Sequence, residues 1–312
     1  MAATPQRIMV FGGTGTIGAA CCARLWAEGR DVAVFSRRAE IDIPGVEAFS
    51  GDIADAGDVS VAVAAWRPDA VLQLAACLQQ DAEMHPALGV SVNVSGAVNV
   101  LLAAAEGTVT RFVFGSSIAA YGARDDLMRE DDAPAGSISL YGLQKLMGEK
   151  LGRRHAEAGG FSFAALRYSG IFGPQRPSGA GMALARHEIL NTANGADVRI
   201  DFVSGEETCH LTYIDDAVEA TMRALFAADL RYDVYNVGGP EGNFLSLRAL
   251  HDLVRGIVPS AGDAVFTGQA RSAGPLDLGR AREGLGYQPQ FGVEDALRIM
   301  LDTPPVKPRP RS

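Results

Sequence analysis

Short apolar segments alternate with amphipathic segments along the first half of the chain. The apolar segments cover residues 7–11, 32–35, 46–49, 70–74, 111–114 and 162–166. Several of them are apolar at nearly every position, which is typical of strands buried on both faces of a sheet. The segments between them follow a helical period, for example at Ile17, Cys21 and Leu25 before Gly29. This alternation predicts an α/β fold in which helices cover both sides of a parallel sheet.

The pattern becomes irregular after residue 170, where glycine, proline and polar residues dominate 170–181 and 203–209. Two helical patterns, at about 182–194 and 245–258, are separated from the first half. We expect a first domain over residues 1–170, whose sheet also takes up elements from about 211–238, and a smaller C-terminal substrate-binding lobe over most of 171–302. The segment 303–312, TPPVKPRPRS, has four prolines in ten residues and predicts a disordered tail.

Composition excludes several classes of partner. The 312 residues are 47% hydrophobic and 21% charged, with a formal net charge of −9 and no basic stripe, so nucleic acid is not expected to bind. No apolar run approaches the roughly 18 residues of a membrane span. The four cysteines, Cys21, Cys22, Cys77 and Cys209, have neither metal-ligand nor disulfide spacing. We expect a cytoplasmic protein with reduced thiols, without a metal site and without a membrane partner.

A glycine-rich loop follows the first predicted strand. Its glycines recur every three residues directly before an amphipathic helix. Glycines permit a tight turn and a close approach of the backbone, and a helix N-terminus attracts an anion. This context predicts a Rossmann-like, doubly wound sheet that binds a dinucleotide pyrophosphate, with an ordinary glycine-rich turn as the alternative. The candidate residues of the loop are Gly12, Gly15, Thr16, Ile17 and Gly18.

Three polar residues end the second predicted strand, where the adenosine ribose is expected to lie. An acidic residue at this place binds the 2′-hydroxyl of NAD, but this chain has Ser36, Arg37 and Arg38. Guanidinium groups match the geometry of a 2′-phosphate. We therefore expect NADP(H) to be favoured over NAD(H) as the cofactor. The alternative is that both arginines are solvated loop charges.

A tyrosine and a lysine form a candidate proton-transfer pair. Tyr141 and Lys145 share one face of a predicted helix, where residues at i and i+4 lie about 5–6 Å apart at Cβ. A tyrosine has an ordinary pKa of about 10, and a neighbouring ammonium group is expected to lower that pKa. Such a pair can exchange a proton with a substrate while a nicotinamide carries hydride. Upstream, Ser117 ends a predicted strand at the edge where α/β sheets bind ligands.

These motifs together resemble the extended short-chain dehydrogenase/reductase family, the NAD(P)-dependent epimerase/dehydratase group. The matching segments occur in the family's order and cover residues 7 to about 300. They are GGTGTIG (12–18), GDIAD (51–55), LQLAA (72–76), VNVSGAVNVLLAA (92–104), FVFGSSIAAYG (112–122), YGLQK (141–145), LRYSGIFGP (166–174), YIDDAVEA (213–220), YNVGG (235–239) and LGYQP (285–289). The resemblance implies an NAD(P)-binding Rossmann domain and a small-molecule substrate, either a carbonyl compound or an alcohol, sugar derivatives included.

The resemblance also implies roles for individual residues. Tyr141 would be the catalytic acid/base, and Lys145 would hold the nicotinamide ribose and tune Tyr141. Ser117 would hydrogen-bond the reacting oxygen, and Asn93 matches an asparagine that supports a proton relay. Further cofactor contacts are implied for Asp52, Ile53, Ala75, Ala76, Tyr168, Ser169 and Gly170. The candidate substrate contacts are Cys77, Ser117, Ile118 and His210, with packing and a structural role as the alternatives for Cys77 and His210.

Three positions depart from the family's pattern. The family's dehydratases carry an acidic pair after a serine or threonine, whereas this chain continues from Ser117 to Ile118, which argues against sugar dehydration. Cys209 stands where many nucleotide-sugar enzymes have an arginine for the diphosphate, and Gly170 stands where an asparagine is usual. The last two changes weaken an assignment to nucleotide sugars.

We therefore expect an NAD(P)-dependent oxidoreductase that transfers hydride at a secondary alcohol or ketone. The alternative is a nucleotide-sugar 4-epimerase with a tightly bound NAD; a non-catalytic dinucleotide sensor is a third reading. Apolar helices around 87–105 and 140–158 predict a homodimer, since family members often pair these helices in a four-helix bundle. Asp215 and Asp216 are expected to cap the helix that follows them.

Overall fold

The computed structural model describes residues 4–38, 40–158, 160–174, 182–231, 233–269 and 273–302, without the side chains of 182–185. The segment 303–312, for which a disordered tail is expected, lies outside the described residues. The strands are β1 (Arg7–Phe11), β2 (Asp31–Ser36), β3 (Glu47–Ser50), β4 (Ala70–Gln73), β5 (Arg111–Ser117), β6 (Ser162–Tyr168), β7 (Gly170–Phe172), β8 (Val198–Ile200), β9 (Thr208–Tyr213), β10 (Val234–Val237), β11 (Phe244–Ser246) and β12 (Ala264–Phe266). The helices are α1 (Thr16–Ala27), α2 (Ala56–Trp66), α3 (Gln79–Met84), α4 (Pro86–Val90), α5 (Gly96–Glu106), α6 (Leu140–Glu157), α7 (Met182–Asn191), α8 (Ile214–Phe226), α9 (Leu247–Ile257), α10 (Gly279–Leu285) and α11 (Val293–Asp302).

Seven parallel strands form the central sheet, in the order β10-β6-β5-β4-β1-β2-β3. The chain builds β2 and β3 outwards on one side of β1 and then returns to its other side with β4. At such a reversal of strand order, the carboxyl ends of the strands leave a crevice in which ligands bind. The expected doubly wound, Rossmann-like parallel sheet is therefore confirmed.

The inner strands β1, β2 and β4 are buried on both faces because they are largely apolar. Successive residues of a strand point to opposite faces, so Ile8 and Val10 belong to one buried cluster and Met9 and Phe11 to another. The first cluster includes residues of α1 and α8, and the second includes residues of α2 and α5. The continuous apolar character of β1 thus reflects a layer of helices on each side.

Beyond residue 170 the chain forms smaller sheets beside the central one. β7, β9 and β11 form a three-stranded sheet, and β8 pairs with β12. β10 joins the central sheet as expected, but β9 does not, because it pairs with β7 and β11 instead. The expectation that sheet elements return from about 211 is therefore corrected to β10. The buried cluster under α1 continues through Leu211, Leu250 and Leu297, so the two parts of the chain share one core.

Residues Pro86–Glu106 form one apolar helical segment, in which a π-helical turn over Ser91–Ser95 joins α4 to α5. By length and composition this segment is long enough to cross a membrane, which the sequence pattern did not indicate. Nearly half of it is buried inside the protein, where it packs on α2 and α6. Core helices have the same length and composition, so the segment is weak support for a membrane partner.

The Asp215-Asp216 pair lies inside α8 rather than at its cap. α8 follows Tyr213, and both carboxylates are in its first turn. The Asp216 carboxylate accepts hydrogen bonds from the backbone N–H groups of Gln290 and Phe291, at 2.8 and 3.0 Å. The expected capping role is therefore wrong for this residue, because its oxygens hold the segment before α11 against α8.

Candidate active site

The glycine-rich loop lies between β1 and α1, at the crevice of the sheet. Gly12 has a φ of +82°, which favours glycine, and a Cβ there would lie 2.7 Å from the backbone nitrogen of Ala75. Among the described atoms, a Cβ on Gly15 would meet only the Gly12 carbonyl oxygen, at 3.3 Å. α1 starts at Thr16 without a side-chain cap and without an acidic residue in its first turn. The loop thus presents an open helix N-terminus that suits an anion.

Ser117, Tyr141 and Lys145 meet at the carboxyl end of β5. Ser117 is the last residue of β5, and the other two lie in the first turns of α6. The Lys145 ammonium group donates a hydrogen bond to the Gly115 carbonyl at 2.6 Å and lies 5.6 Å from the centre of the Tyr141 ring. The Ser117 side chain lies near enough to Tyr141 to lower the pKa of its hydroxyl. A strand end and a helix face therefore supply the candidate proton-transfer groups.

α6 approaches the sheet closely because glycines face it. Gly148 lies against the ring of Phe114, where a Cβ would be 2.9 Å from Cε1, and Gly152 lies against the ring of Phe163. This contact brings the Lys145 ammonium group to 5.0 Å from the centre of the Phe114 ring. The position of Lys145 at the sheet edge therefore depends on residues one and two helical turns further along α6.

Burial determines the protonation of the two candidate proton-transfer groups. It raises the pKa of Tyr141 to about 12, and the neighbouring Ser117 side chain acts in the opposite direction. It lowers the pKa of Lys145 to about 8, against the attraction of Glu149. The expectation that Lys145 lowers the pKa of Tyr141 is wrong for the protein alone, because burial of the hydroxyl raises this pKa and Lys145 is not among the groups that act on it. Tyr141 is protonated near neutral pH and can donate a proton.

A buried ion pair supports this end of β5. Arg167 donates to both carboxylate oxygens of Glu149, from Nε at 2.8 Å and from Nη2 at 2.7 Å. The Ser116 hydroxyl donates to the same carboxylate at 2.5 Å. All three side chains are buried. Since this pair is bidentate and removed from water, it holds Ser116, and with it the neighbouring Ser117, in one position.

The candidate residues line one cavity of about 1030 Å³, which extends from the glycine-rich loop to α7. Those that line it are Gly12, Gly15, Thr16, Ile17, Gly18, Ser36, Arg37, Arg38, Asp52, Ile53, Ala75, Ala76, Cys77, Ser117, Tyr141, Lys145, Tyr168 and Ser169. The Tyr168 hydroxyl is turned to Thr221, whose Oγ1 lies 2.7 Å away. The structure therefore brings the cofactor candidates and three of the four catalytic candidates to one cleft.

Asn93 is the catalytic candidate that does not line the cavity. Its side-chain oxygen accepts from the backbone N–H of Cys77 at 2.8 Å. Its amide nitrogen donates to the Cys77 carbonyl at 2.8 Å and to Gln144 Oε1 at 2.7 Å. Both amide hydrogens of Asn93 are thus bound to other protein groups, and its part in a proton relay stays a prediction. Asn93 joins the Cys77 segment, which lines the cleft, to α6.

Two expected substrate contacts and one expected cofactor contact also lie outside the cavity lining. His210 Nε2 lies 3.0 Å from the Gly239 carbonyl oxygen, and Nδ1 accepts from the backbone N–H of Leu276 at 3.2 Å. Because both ring nitrogens bind backbone, the structural alternative for His210 is the one that the geometry favours. Ile118 packs beside the buried cluster of Tyr121, Met128, Leu276 and Leu278, and a Cβ on Gly170 would lie 3.2 Å from Arg186 Nη1. The substrate contact of Ile118 and the cofactor contact of Gly170 stay predictions.

Comparison with known proteins identifies the family. Residues 8–238 match the NAD dependent epimerase/dehydratase family. The chain belongs to this family. A UDP-glucose 4-epimerase of Lactobacillus helveticus is 29% identical over 320 residues, which cover 94% of this chain and 95% of the relative. A solved UDP-glucose 4-epimerase of Thermus thermophilus in complex with NAD is 25% identical, with a TM-score of 0.81 and coverage of 95% and 98%. L-threonine dehydrogenase of Clostridium difficile, 19% identical, shares the fold, with a TM-score of 0.84 and coverage of 96% and 98%.

Members of the epimerase/dehydratase family use a nicotinamide dinucleotide, and the cleft of this member has residues that fit one. Ser36, Arg37 and Arg38 lie at its mouth. The Ser36 hydroxyl donates to the Arg38 carbonyl at 2.7 Å, and the Ser50 hydroxyl donates to the Arg37 carbonyl at 3.2 Å. These bonds hold the backbone of the turn and leave both arginine side chains exposed at the cavity.

The sequence pattern does not predict the wall of the cleft that α7 and α3 form. α7 contributes Arg186, His187 and Leu190, and α3 contributes Asp81. The pattern of residues 182–194 predicts a helix but not which face meets the cleft, since that depends on the path of the chain after residue 170. An arginine on an amphipathic helix is ordinarily exposed, so nothing in the sequence distinguishes Arg186.

Proposed function

We propose that this member of the epimerase/dehydratase family is an NAD(P)-dependent oxidoreductase that transfers hydride at a secondary alcohol or ketone. The observation that carries the proposal is the convergence of Ser117, Tyr141 and Lys145 on the cavity that also contains the glycine-rich loop. The substrate is a small molecule with a hydroxyl or carbonyl group, and sugar derivatives belong to this class.

The described residues fit a bound dinucleotide. The open side of the loop at Gly15 would receive the pyrophosphate, and Asp52 and Ile53 would lie beside the adenine. Lys145 would hold the nicotinamide ribose. When bound there, the dinucleotide supplies the hydride acceptor or donor.

Tyr141 moves the proton. With a pKa raised to about 12 by burial, its hydroxyl is protonated near neutral pH and donates to the substrate oxygen when a ketone is reduced. In the reverse direction it takes the proton back. Ser117 donates a hydrogen bond to the same oxygen and orients it. Lys145, charged below its pKa of about 8, stabilises negative charge that develops on these oxygens.

Tyr141→Phe tests this function, because it removes the hydroxyl and keeps the ring. We expect kcat to fall by about 10²–10⁴-fold, the usual contribution of a general acid, while cofactor affinity changes little. Turnover is measured from the absorbance of the reduced nicotinamide with a panel of ketones, UDP-glucose and L-threonine. Tyr121→Phe is the matched control, since the Tyr121 hydroxyl is buried against Asn236 and is outside the cavity lining. A Tyr141→Phe variant with wild-type kcat would contradict the assignment.

A nucleotide-sugar 4-epimerase is a second candidate function, because UDP-glucose 4-epimerases are similar to nearly the whole chain. This reaction oxidises a sugar hydroxyl and then reduces the ketone from its other face, so it regenerates its cofactor. The nucleotide released when freshly purified protein is denatured separates the two functions. Near-stoichiometric NAD⁺ supports the epimerase, and an empty protein that takes up added NADPH supports the reductase.

We also propose that NADP(H) is favoured over NAD(H). Two exposed arginines at the cavity mouth, Arg37 and Arg38, support this preference, as does the lack of an acidic residue at Ser36. The NAD complex of the Thermus thermophilus relative favours the opposite preference. Direct comparison of kcat/KM with the two cofactors decides between them.

We propose a homodimer that works in the cytoplasm. Large apolar side chains are exposed on helices that pack beside one another, Met84 on α3, Leu88 on α4, and Leu143 and Met147 on α6. Four buried cysteines without disulfide bonds suit a reducing compartment. Light scattering should give twice the mass of one chain, and a monomer at micromolar concentration would contradict the dimer.

A further inference from the structure

Arg186 is a buried arginine in the wall of the cavity. It lies on α7, is 8% exposed and lines the cavity together with His187 and Leu190. Among the described residues, its guanidinium group makes one hydrogen bond, a long one of 3.3 Å from Nη2 to the Ile171 carbonyl, and its Nε has no partner. Buried arginines are ordinarily paired, because a buried charge without a counter-charge is costly.

No carboxylate of the described residues is bonded to Arg186, and the remaining residues contain no aspartate or glutamate. Burial lowers the pKa of Arg186, but a guanidinium group stays protonated in proteins. Among the described residues, the ionisable side chain near enough to affect it is Cys209, whose pKa is raised by burial to about 11, so that the thiol is neutral. Among the described residues, the positive charge of Arg186 at the cavity wall therefore has no bonded counter-charge.

Arg111 shows what a structural buried arginine looks like in the same protein. It is 7% exposed, and its Nε also has no partner. Its two terminal nitrogens, however, donate short hydrogen bonds of 2.7 and 2.6 Å to the carbonyls of Ala224 and Ala227, at the C-terminal end of α8. A helix C-terminus carries partial negative charge. Arg111 is thus held by two short hydrogen bonds to backbone, whereas within the described part of the chain Arg186 has one long bond.

We propose that Arg186 binds an anionic group of the substrate, a carboxylate or a phosphate, on the α7 side of the cavity. This inference rests on the proposed function and deepens it, since it makes the substrate an anion. A planar guanidinium group can donate two parallel hydrogen bonds to two oxygens of such a group, which gives both affinity and orientation.

The two positions at which the chain departs from the pattern of nucleotide-sugar enzymes border this guanidinium group. A Cβ on Gly170 would lie 3.2 Å from Arg186 Nη1, so a larger side chain there would compete for its space. Cys209 is the ionisable side chain that lies near enough to influence the pKa of Arg186, and its neutral thiol adds no counter-charge. Small residues at both positions leave room for an arginine that enters from α7. The cationic group expected at position 209 thus comes from another element of the fold.

Anion binding tests the proposal directly. UDP, inorganic pyrophosphate, glucuronate and L-threonine are titrated by calorimetry into protein saturated with NADPH, with chloride as the ionic-strength control. We expect at least one of these anions to bind the wild type. Arg186→Met should weaken that binding at least tenfold, the usual effect of a lost charge-assisted hydrogen bond, and Arg186→Lys should retain part of it. Binding of UDP and pyrophosphate identifies a phosphate, whereas binding of glucuronate or threonine alone identifies a carboxylate.

Arg111→Met is the matched control and should lower the melting temperature without changing anion affinity. Arg186→Met should leave the melting temperature of the unliganded protein unchanged or raise it, because it removes an uncompensated buried charge. The proposal is overturned if the wild type binds none of the anions, if Arg186→Met binds them as tightly, or if Arg186→Met loses as much stability as the control. None of these measurements needs turnover. Anion binding by Arg186 can therefore be refuted while hydride transfer with Tyr141 is confirmed, and hydride transfer can be refuted while anion binding is confirmed.

Discussion

Gly148→Ala tests whether catalysis depends on the distance between α6 and the central sheet. A Cβ at position 148 would lie 2.9 and 3.2 Å from Cε1 and Cε2 of Phe114, and closer still to Cζ. Carbon atoms in ordinary contact are about 3.5–4.0 Å apart, so the helix and the ring must separate by roughly 0.5–1 Å. Phe114 is 2% exposed and has little freedom to yield. The adjustment therefore falls mainly on α6, which carries Tyr141 and Lys145.

The expected loss of activity is much larger than the expected loss of stability. Overpacking a core contact costs about 1–3 kcal/mol, and alanine is more favourable than glycine inside a helix by about 1 kcal/mol, so the protein stays folded. A displacement of about 1 Å at catalytic groups can lower a rate by 10²-fold. We expect kcat to fall about 10²-fold, with weaker cofactor binding because Lys145 moves as well.

Turnover, cofactor titration and thermal melting by circular dichroism measure these effects in parallel. Gly256→Ala is the matched control, since it also changes a glycine in a helix, α9, but its Cβ would meet nothing within 4 Å among the described atoms. That variant should keep wild-type activity and an equal or slightly higher melting temperature. Wild-type turnover by Gly148→Ala would refute the dependence of the catalytic geometry on this contact.

Three further outcomes are expected. The double change Ser36→Asp with Arg37→Ala should reverse a preference for NADPH of at least about tenfold in kcat/KM, because a hydrogen bond to a charged group contributes roughly 1.5–3 kcal/mol; a wild type that prefers NADH contradicts this. Cofactor affinity should fall as the pH rises through about 8, where Lys145 loses its charge. The Lys145→Met variant should bind the cofactor weakly at every pH. Fluorescence titration of the cofactor at several pH values measures both affinities. Glu149→Gln should lower the free energy of unfolding by about 3–5 kcal/mol, because Arg167 stays buried without its counter-charge. Urea denaturation measures this loss. A change below about 1 kcal/mol, as for an exposed pair, would contradict the role of this ion pair.

The central sheet could be predicted from the sequence because its signals are local. A strand buried on both faces needs apolar residues at successive positions, and the predicted segments at 7–11 and 111–114 match β1 and most of β5. The glycine-rich loop and the Tyr141–Lys145 spacing are likewise complete within a few residues. Because parallel strands have their carboxyl ends at the same edge of a sheet, the loop and the Tyr141–Lys145 pair are expected at that edge.

The rest depended on contacts between distant parts of the chain. His210 binds the backbone of Gly239 and Leu276, 29 and 66 residues away, and no local pattern reveals such partners. β9 is buried at nearly every position, as a central strand is, but it pairs with β7 and β11. The pKa of Tyr141 depends on its burial in the folded cleft, which the spacing to Lys145 does not express.

Arg186 shows how departures from a family's pattern change meaning in three dimensions. Along the chain, Gly170 and Cys209 weaken an assignment to nucleotide sugars, because each lacks the polar side chain that the resemblance to such enzymes leads us to expect. In the fold both border a buried guanidinium group, so the same departures accommodate a cation from α7. The lack of an arginine at position 209 therefore does not separate a reductase from a nucleotide-sugar epimerase, since either can act on an anion. What does separate them is the fate of the hydride: an epimerase returns it to the same substrate and keeps its cofactor, whereas a reductase must exchange its cofactor after every turnover. The nucleotide retained by the purified protein is thus more informative about the reaction than the charge of the substrate.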